Sequence, residues 1–251
     1  MSYRPFCIAT KFRNAKLDIY NELTKLYSLY IVNNPEKHIK NIIFDLGGVL
    51  INIDYNILIA AFSKIGLPHF EDYFSQKQQS NLFDDYENGR ISSDTFRKKI
   101  KEHCQPNTSN IEIDAAWNSM ILDLPKERMN LLMSLKGKYR TFLLSNTNEI
   151  HMQFIYKYLK KEFHINDFSS CFEKVYLSFE MGMRKPDVQI FEKVLNDNDL
   201  NKDETLFIDD SIQHIESAKL LGVMTYYLDV KREKITDIFI DEQKISLSIL
   251  K

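Results

Sequence analysis

The chain has 251 residues, with 44% hydrophobic residues, 27% charged residues and a formal net charge of -2 at pH 7. This composition is typical of a soluble globular protein that can bury a substantial core. The charge gives no indication of nucleic acid or an anionic membrane as partner, and no segment approaches the roughly 20 apolar residues that span a bilayer. Cys7, Cys104 and Cys171 form no CxxC pair, so we expect structural thiols in a reducing, cytoplasmic setting.

The N-terminal segment, residues 1–38, is predicted to be a helical extension. Between residues 17 and 30, leucine, isoleucine and tyrosine recur at roughly helical spacing. The segment shows no signal-peptide pattern. We expect an amphipathic helix that packs on the body of the protein or on a partner, with a targeting function as the alternative.

Five short apolar runs then predict the strands of a buried parallel sheet. They are Ile42–Asp45, Thr141–Ser145, Val175–Ser178, Thr205–Asp209 and Val223–Leu228. Amphipathic stretches between the later runs predict the helices Glu149–Leu159, Asp187–Leu195 and Ile212–Leu221. This alternation predicts an α/β fold, a doubly wound parallel sheet. We assign residues 39–54 and 138–230 to this core and residues 231–251 to a C-terminal tail.

The interval 55–137 interrupts the alternation and is predicted to be an inserted helical cap domain. It contains no convincing strand, and its helical patches are Asn56–Ile65, His69–Gln79, Ser92–His103, Ile111–Leu122 and Lys126–Leu135. Inserted after the first strand, such a domain should cover the carboxyl ends of the strands, where open α/β sheets bind ligands. We expect its polar and aromatic residues His69, Tyr86, Arg90 and Trp117 to serve packing or surface rather than substrate contact.

Acidic residues follow two of the predicted strands. Asp45 ends the first run, just before Gly47 and Gly48, and Asp209-Asp210 ends the fourth. Each feature alone has a structural explanation, such as a buried turn, but together they should meet at one edge of the sheet. Crowded carboxylates repel each other unless a cation lies among them, and oxygen ligands suit Mg²⁺.

Two further segments supply groups that can hold an anion. Ser145-Asn146 ends the second strand, where a hydroxyl and backbone N–H groups can bind phosphate oxygens or, alternatively, cap the next helix. Lys185 precedes Pro186 before a predicted helix and can present its ammonium group to an anion. A lone lysine in a polar loop is usually solvated, but the order of the four segments favours a shared site.

With these motifs in order, the chain resembles the haloacid dehalogenase superfamily of phosphohydrolases. The segments that carry the resemblance are Asp45–Leu50, Leu144–Asn148, Leu177–Pro186 and Phe207–Asp210. Within the superfamily they are most similar to the bacterial α-D-glucose-1-phosphate phosphatase branch, and also to the N-terminal phosphatase domain of soluble epoxide hydrolase.

The resemblance implies a role for each motif residue. Asp45 would be the nucleophile that forms an aspartyl-phosphate, and Lys185 would offset the charge between it and the phosphate. Mg²⁺ would be held by Asp45, the Gly47 carbonyl and Asp210, with Asp209 orienting a metal-bound water. Ser145 and the Asn146 amide would hold the phosphoryl oxygens of a small-molecule phosphate ester.

Gly47 departs from the pattern of most phosphatases of the superfamily, which carry a second aspartate there for acid–base catalysis. Three explanations stay open: a substrate with a good leaving group, such as a sugar 1-phosphate; another acid, for which Asp54 is the candidate; or a weak or inactive binding or regulatory relative. A haloacid dehalogenase is a further alternative, but it would need no metal and hence no Asp209-Asp210 pair.

Overall fold

The structure is a computed structural model, and it describes residues 39–70, 81–240 and 244–245. The predicted N-terminal helical extension lies outside the described residues, as does most of the predicted helix His69–Gln79. Among the helices that are described, each is too short or too polar to cross a membrane.

The core is a five-stranded, wholly parallel sheet. Its strands are β1 (Asn41–Phe44), β2 (Arg140–Ser145), β3 (Lys174–Leu177), β4 (Thr205–Asp209) and β5 (Met224–Tyr227). They lie in the order β3-β2-β1-β4-β5, and Ile43 at the centre of the sheet is in register with Phe142 and Phe207. The predicted strands and the doubly wound parallel sheet are confirmed, with shifts of about one residue at the ends.

The helices of the described residues follow in chain order. They are α1 (Tyr55–Lys64), α2 (Asn81–Glu87), α3 (Ser93–Lys101), α4 (Asn110–Asn118), α5 (Lys126–Leu135), α6 (Glu149–Phe163), α7 (Ser178–Met181), α8 (Val188–Asp197) and α9 (Ile212–Leu220). The short helix α2 was not expected from the sequence, and α8 begins two residues after Pro186, with Asp187 as its N-cap.

Helices cover both faces of the sheet, because successive apolar side chains of each strand point to opposite faces. Ile42 and Phe44 of β1 belong to a cluster with α5 and α6, whereas Ile43 belongs to a cluster with α8 and α9. Burial on both faces explains why the strands are continuous apolar runs rather than alternating ones.

Helices α1 to α4, which lie between β1 and β2 along the chain, form a separate hydrophobic cluster. Its centre is aromatic: Trp117 is fully buried, with the rings of Phe83 and Phe96 at 5.4 and 5.2 Å. Side-chain caps begin α1, α3 and α4, at Asp54, Ser92 and Ser109. These helices fall within the interval 55–137 that the sequence predicts as an inserted cap, and we refer to them as the cap.

Helix α5 packs with the sheet instead of with the cap. Met129 and Leu132 belong to the cluster that contains Phe44, and the Arg128 guanidinium donates to the Leu50 carbonyl at 3.0 Å. We therefore propose that the cap ends near residue 122 rather than at the expected 137.

The segment after β5 also packs on the core. Ile235 and Ile238 form a buried turn, and the antiparallel pair β6 (Phe239–Ile240) and β7 (Lys244–Ile245) follows. At least residues 235–239 of the expected C-terminal tail thus contribute to the hydrophobic core.

Candidate active site

Three carboxylates meet at the carboxyl edge of the sheet, because β1 and β4 are adjacent parallel strands. Asp45 follows the last residue of β1, and its N–H donates to the Ile208 carbonyl of β4 at 2.9 Å. Asp209 ends β4 and is fully buried, and Asp210 follows it. Ligand oxygens of all three lie within 4.8 Å of one another. The expected convergence of Asp45 with Asp209-Asp210 is therefore present.

Lys185 lies fully buried between two of these acids. Its Nζ is 2.7 Å from Asp45 Oδ1 and 2.7 Å from Asp209 Oδ2. The lysine is thus part of the site rather than a solvated surface residue.

The charges of this cluster depend on one another. Burial raises the pKa of Asp45, and although Lys185 opposes that rise, the charge of Asp209 adds to it. Burial alone would raise the pKa of Asp209 too, but Lys185 and His214 hold it below its ordinary value. Burial would lower the pKa of Lys185, yet the two carboxylates keep it above the ordinary range, so the ammonium stays charged.

The turn after Asp45 requires a glycine at position 48. Gly48 has a φ of +75°, and a Cβ on it would collide with the Asp210 carboxylate. The absence of a side chain at Gly48 thus allows the loop after β1 to lie against the loop after β4 at Asp210.

The loop after β2 supplies groups for an anion and positions the lysine. Ser145, 3% exposed, borders the same cavity as Asp45. The Asn146 side chain binds the backbone of Lys185, accepting from its N–H at 2.9 Å and donating to its carbonyl at 2.8 Å. The Asn146 side chain is thus engaged in holding the Lys185 loop.

A cavity of about 110 Å³ lies over the carboxylates, between the sheet and the cap. Residues from both parts line it: Asp45, Leu46, Gly47, Ile51, Ile53, Tyr55, Glu87, Met120, Ile121, Ser145, Asn146, Thr147, His151, Ile155, Arg184, Asp210 and His214. Asp54, the expected replacement for an acid at Gly47, is not among them. Its carboxylate caps α1 by accepting from Asn56 N at 2.8 Å.

The cap contacts the site through an ion pair and a close backbone approach. Arg184, next to Lys185, pairs with Asp84 and with Glu87 of α2, the latter at 3.1 Å. A Cβ on Gly89 would collide with the Phe179 carbonyl, so a glycine allows the cap to lie against the core there. The short helix α2 and the turn that follows it therefore supply these contacts between the cap and the core.

Sequence reasoning missed several residues that line the cavity: Tyr55, Glu87, His151, Arg184 and His214. His214 is the clearest case, since its Nδ1 lies 2.9 Å from Asp209 Oδ1. Its position in the first turn of α9, directly after the acid pair, is the signal that could have identified it. His69, Tyr86, Arg90 and Trp117, which we expect to serve packing or surface, are not among the residues that line this cavity.

Comparison with known proteins places this site in a family. Residues 39–222 match the haloacid dehalogenase-like hydrolases. The D-ribitol-5-phosphate phosphatase of Bacteroides thetaiotaomicron is 33% identical over 190 residues, which are 75% of this chain and 91% of that protein.

Solved structures agree with the sequence match. A haloacid dehalogenase family enzyme from Bacteroides thetaiotaomicron, crystallised as an aspartate-to-alanine mutant with magnesium and inorganic phosphate, has a TM-score of 0.74 at 40% identity and covers 78% of this chain and 96% of that one. A predicted hydrolase of the same type from Porphyromonas gingivalis has a TM-score of 0.68 at 34% identity, over 75% and 90% of the two chains. The chain therefore belongs to the haloacid dehalogenase-like hydrolases.

Proposed function

We propose that the protein is a Mg²⁺-dependent phosphatase that hydrolyses a small sugar or sugar-alcohol phosphate through an aspartyl-phosphate on Asp45. The observation that carries the proposal is the group formed by the buried Asp45, Lys185 and Asp209 together with the half-buried Asp210. The magnesium and phosphate in a related crystal structure and the name of the ribitol-phosphate relative support it.

The three carboxylates fit a magnesium ion. The donors are all oxygens, and three carboxylates lie within 4.8 Å of one another, whereas the Lys185 ammonium contacts two of them, Asp45 and Asp209; this leaves negative charge for a cation to neutralise. Both Asp209 oxygens already accept hydrogen bonds, from Lys185, Ser211 and His214. We therefore assign Asp45, Asp210 and the Gly47 carbonyl as ligands, and Asp209 as a positioning residue. In such a site Mg²⁺ supplies positive charge beside the phosphoryl oxygens.

The chain's own residues then account for phosphoryl transfer. The Asp45 carboxylate, once ionised, needs no base in order to attack phosphorus. Lys185 reduces the repulsion between that carboxylate and the approaching phosphate, and it is held in place by the Asn146 side chain. The Ser145 hydroxyl and the Asn146 N–H, which border the same cavity as Asp45, would bind the phosphoryl oxygens.

The size of the cavity favours a small substrate. About 110 Å³ is below the roughly 300–1,000 Å³ of typical drug-sized ligand pockets, so a phosphoprotein is a poor fit. In an anomeric sugar phosphate the leaving group is the anomeric hydroxyl, which departs easily without the acid that position 47 lacks, whereas in a sugar-alcohol phosphate such as the one in the relative's name it is an ordinary alcohol. An anomeric sugar phosphate therefore needs little acid catalysis at the leaving oxygen, whereas a sugar-alcohol phosphate needs it.

Phosphate release from a panel of sugar and sugar-alcohol phosphates, with and without Mg²⁺, tests the proposal. We expect Mg²⁺-dependent turnover that Asp45→Asn abolishes while the protein stays folded. Asp54→Asn is the matched control, because asparagine also caps helices and Asp54 lies outside the cavity lining. Turnover retained by Asp45→Asn would refute Asp45 as the nucleophile. No phosphate release from any ester would favour a binding protein. Halide release from a haloacid without metal would favour a dehalogenase.

A further inference from the structure

His151 is a buried cavity residue to which the proposed reaction gives no role. It is the third residue of α6, close in sequence to Ser145-Asn146, and its N–H donates to the Asn148 cap at 3.1 Å. Its ring stacks on Trp117 of the cap, with the ring centres 4.7 Å apart and an interplanar angle of 11°. The orientation of the ring is therefore set by both the core and the cap.

The hydrogen-bond partner of His151 determines which ring nitrogen carries the proton. Nδ1 lies 2.9 Å from Asn118 Oδ1, and because that oxygen only accepts, Nδ1 must hold the hydrogen. Burial lowers the pKa of His151 to about 3, so the ring is neutral at pH 7 and Nε2 carries a lone pair. A ring with so low a pKa cannot serve as the acid that is missing at Gly47.

The surroundings of His151 leave Nε2 as an acceptor for a ligand. The residue is 8% exposed and borders the cavity that contains Asp45. Nearby lining residues Met120, Ile121 and Ile155 are apolar. In the described ranges, the side-chain hydrogen bond of His151 is the one that Nδ1 makes to Asn118. Because a buried acceptor without a partner costs free energy, Nε2 favours a substrate group that donates a hydrogen bond to it.

We propose that His151 is a specificity residue whose Nε2 accepts a hydrogen bond from a hydroxyl group of the substrate's polyol chain. The inference rests on the proposed phosphatase function and goes beyond it, because it states what recognises the part of the substrate remote from the phosphate. It assigns Asn118 and Trp117 as positioning residues that fix the tautomer and the plane of the ring.

Two esters of equal chain length test this role: ribitol 5-phosphate and n-pentyl phosphate, which lacks the free hydroxyls. For His151→Phe, which keeps a stacking ring, we expect kcat/KM on ribitol 5-phosphate to fall roughly tenfold, the value of one neutral hydrogen bond. The value on pentyl phosphate should change by less than about twofold. His151→Gln, which carries an acceptor oxygen, should recover part of the loss.

The possible outcomes separate this inference from the proposed function. Equal losses on the two esters, or no loss on ribitol 5-phosphate, would overturn the role of His151 and leave the phosphatase intact. A wild-type protein that hydrolyses neither ester would overturn recognition of a polyol chain by His151, whereas the phosphatase function would fall only if the whole panel of sugar and sugar-alcohol phosphates were also left intact. If His151→Phe lacks a cooperative thermal transition, the Asn118→Ala variant replaces it, because it removes the acceptor that holds the hydrogen on Nδ1. A loss of kcat/KM confined to ribitol 5-phosphate then supports the role of His151. An equal loss on the two esters overturns it.

Discussion

Replacement of Lys185 by methionine should cost both stability and activity. The ammonium is fully buried and makes two contacts of 2.7 Å, to Asp45 and Asp209. Removing one partner of a buried ion pair typically costs about 3–5 kcal/mol, because the remaining charge stays desolvated. For a chain of this size each kcal/mol shifts the melting temperature by about 2–4 °C, which gives a decrease of about 6–20 °C.

Thermal denaturation with and without Mg²⁺ separates the electrostatic cause from a packing defect. Methionine nearly preserves the volume of the side chain, so the loss should come from uncompensated charge, and saturating Mg²⁺ should recover part of it. Lys193→Met is the matched control, because Lys193 is 43% exposed in its pair with Asp197 and should change stability by less than about 1 kcal/mol. A Lys185→Met protein with an unchanged melting temperature and full turnover would refute this reasoning.

Three further predictions address the turn, the cap and the buried histidine. Gly47→Asp, at a backbone angle open to other residues, should raise kcat on esters with poor leaving groups by up to about 10²-fold; unchanged kcat would show that another acid already acts. Gly89→Ala should lower the melting temperature more than Gly182→Ala. Both glycines have a positive φ, but of the two only Gly89 would place its new Cβ against a backbone atom, the Phe179 carbonyl oxygen. Equal decreases in melting temperature would contradict that contact. Because the pKa of His151 falls from 6.5 to about 3 on folding, stability should decrease below pH 6.5 by about 1.4 kcal/mol per pH unit, and urea denaturation should show a smaller decrease for His151→Phe.

The sheet was predictable from sequence because its strands are buried on both faces. The run Thr205–Asp209, for example, is buried along its whole length and ends in an acid at the edge where the site forms. The convergence of Asp45 with Asp209-Asp210 followed from parallel pairing alone. Periodicity and strand ends therefore sufficed for the fold and for the cluster of three carboxylates.

The cap was harder to predict because tertiary packing, rather than periodicity, determines its limits. Helix α2 has only seven residues, too few for a clear pattern, yet Phe83 and Tyr86 on it are buried. Helix α5 has the same kind of pattern as the cap helices, and only its contacts assign it to the sheet. Amphipathic spacing shows that a helix has a buried face but not which core buries it.

The second layer of the site depends on contacts between distant parts of the chain. Glu87 reaches Arg184 across the seam between cap and core, and Trp117 lies on His151, which follows it by 34 residues. No local spacing rule connects such pairs. The cluster of acids and Lys185 was accessible from motifs, whereas the residues proposed to select the substrate required the folded structure.

The central claim is that Asp45 is phosphorylated during turnover. Acid quenching of the enzyme during hydrolysis, followed by borohydride reduction and peptide mass spectrometry, measures this directly, because borohydride reduces an acyl phosphate to an alcohol and leaves a free carboxylate intact. We predict that the reduced residue is Asp45 and that omission of substrate or Mg²⁺ eliminates it. Reduction at another acidic residue, or an unmodified Asp45 during active turnover, would contradict the account.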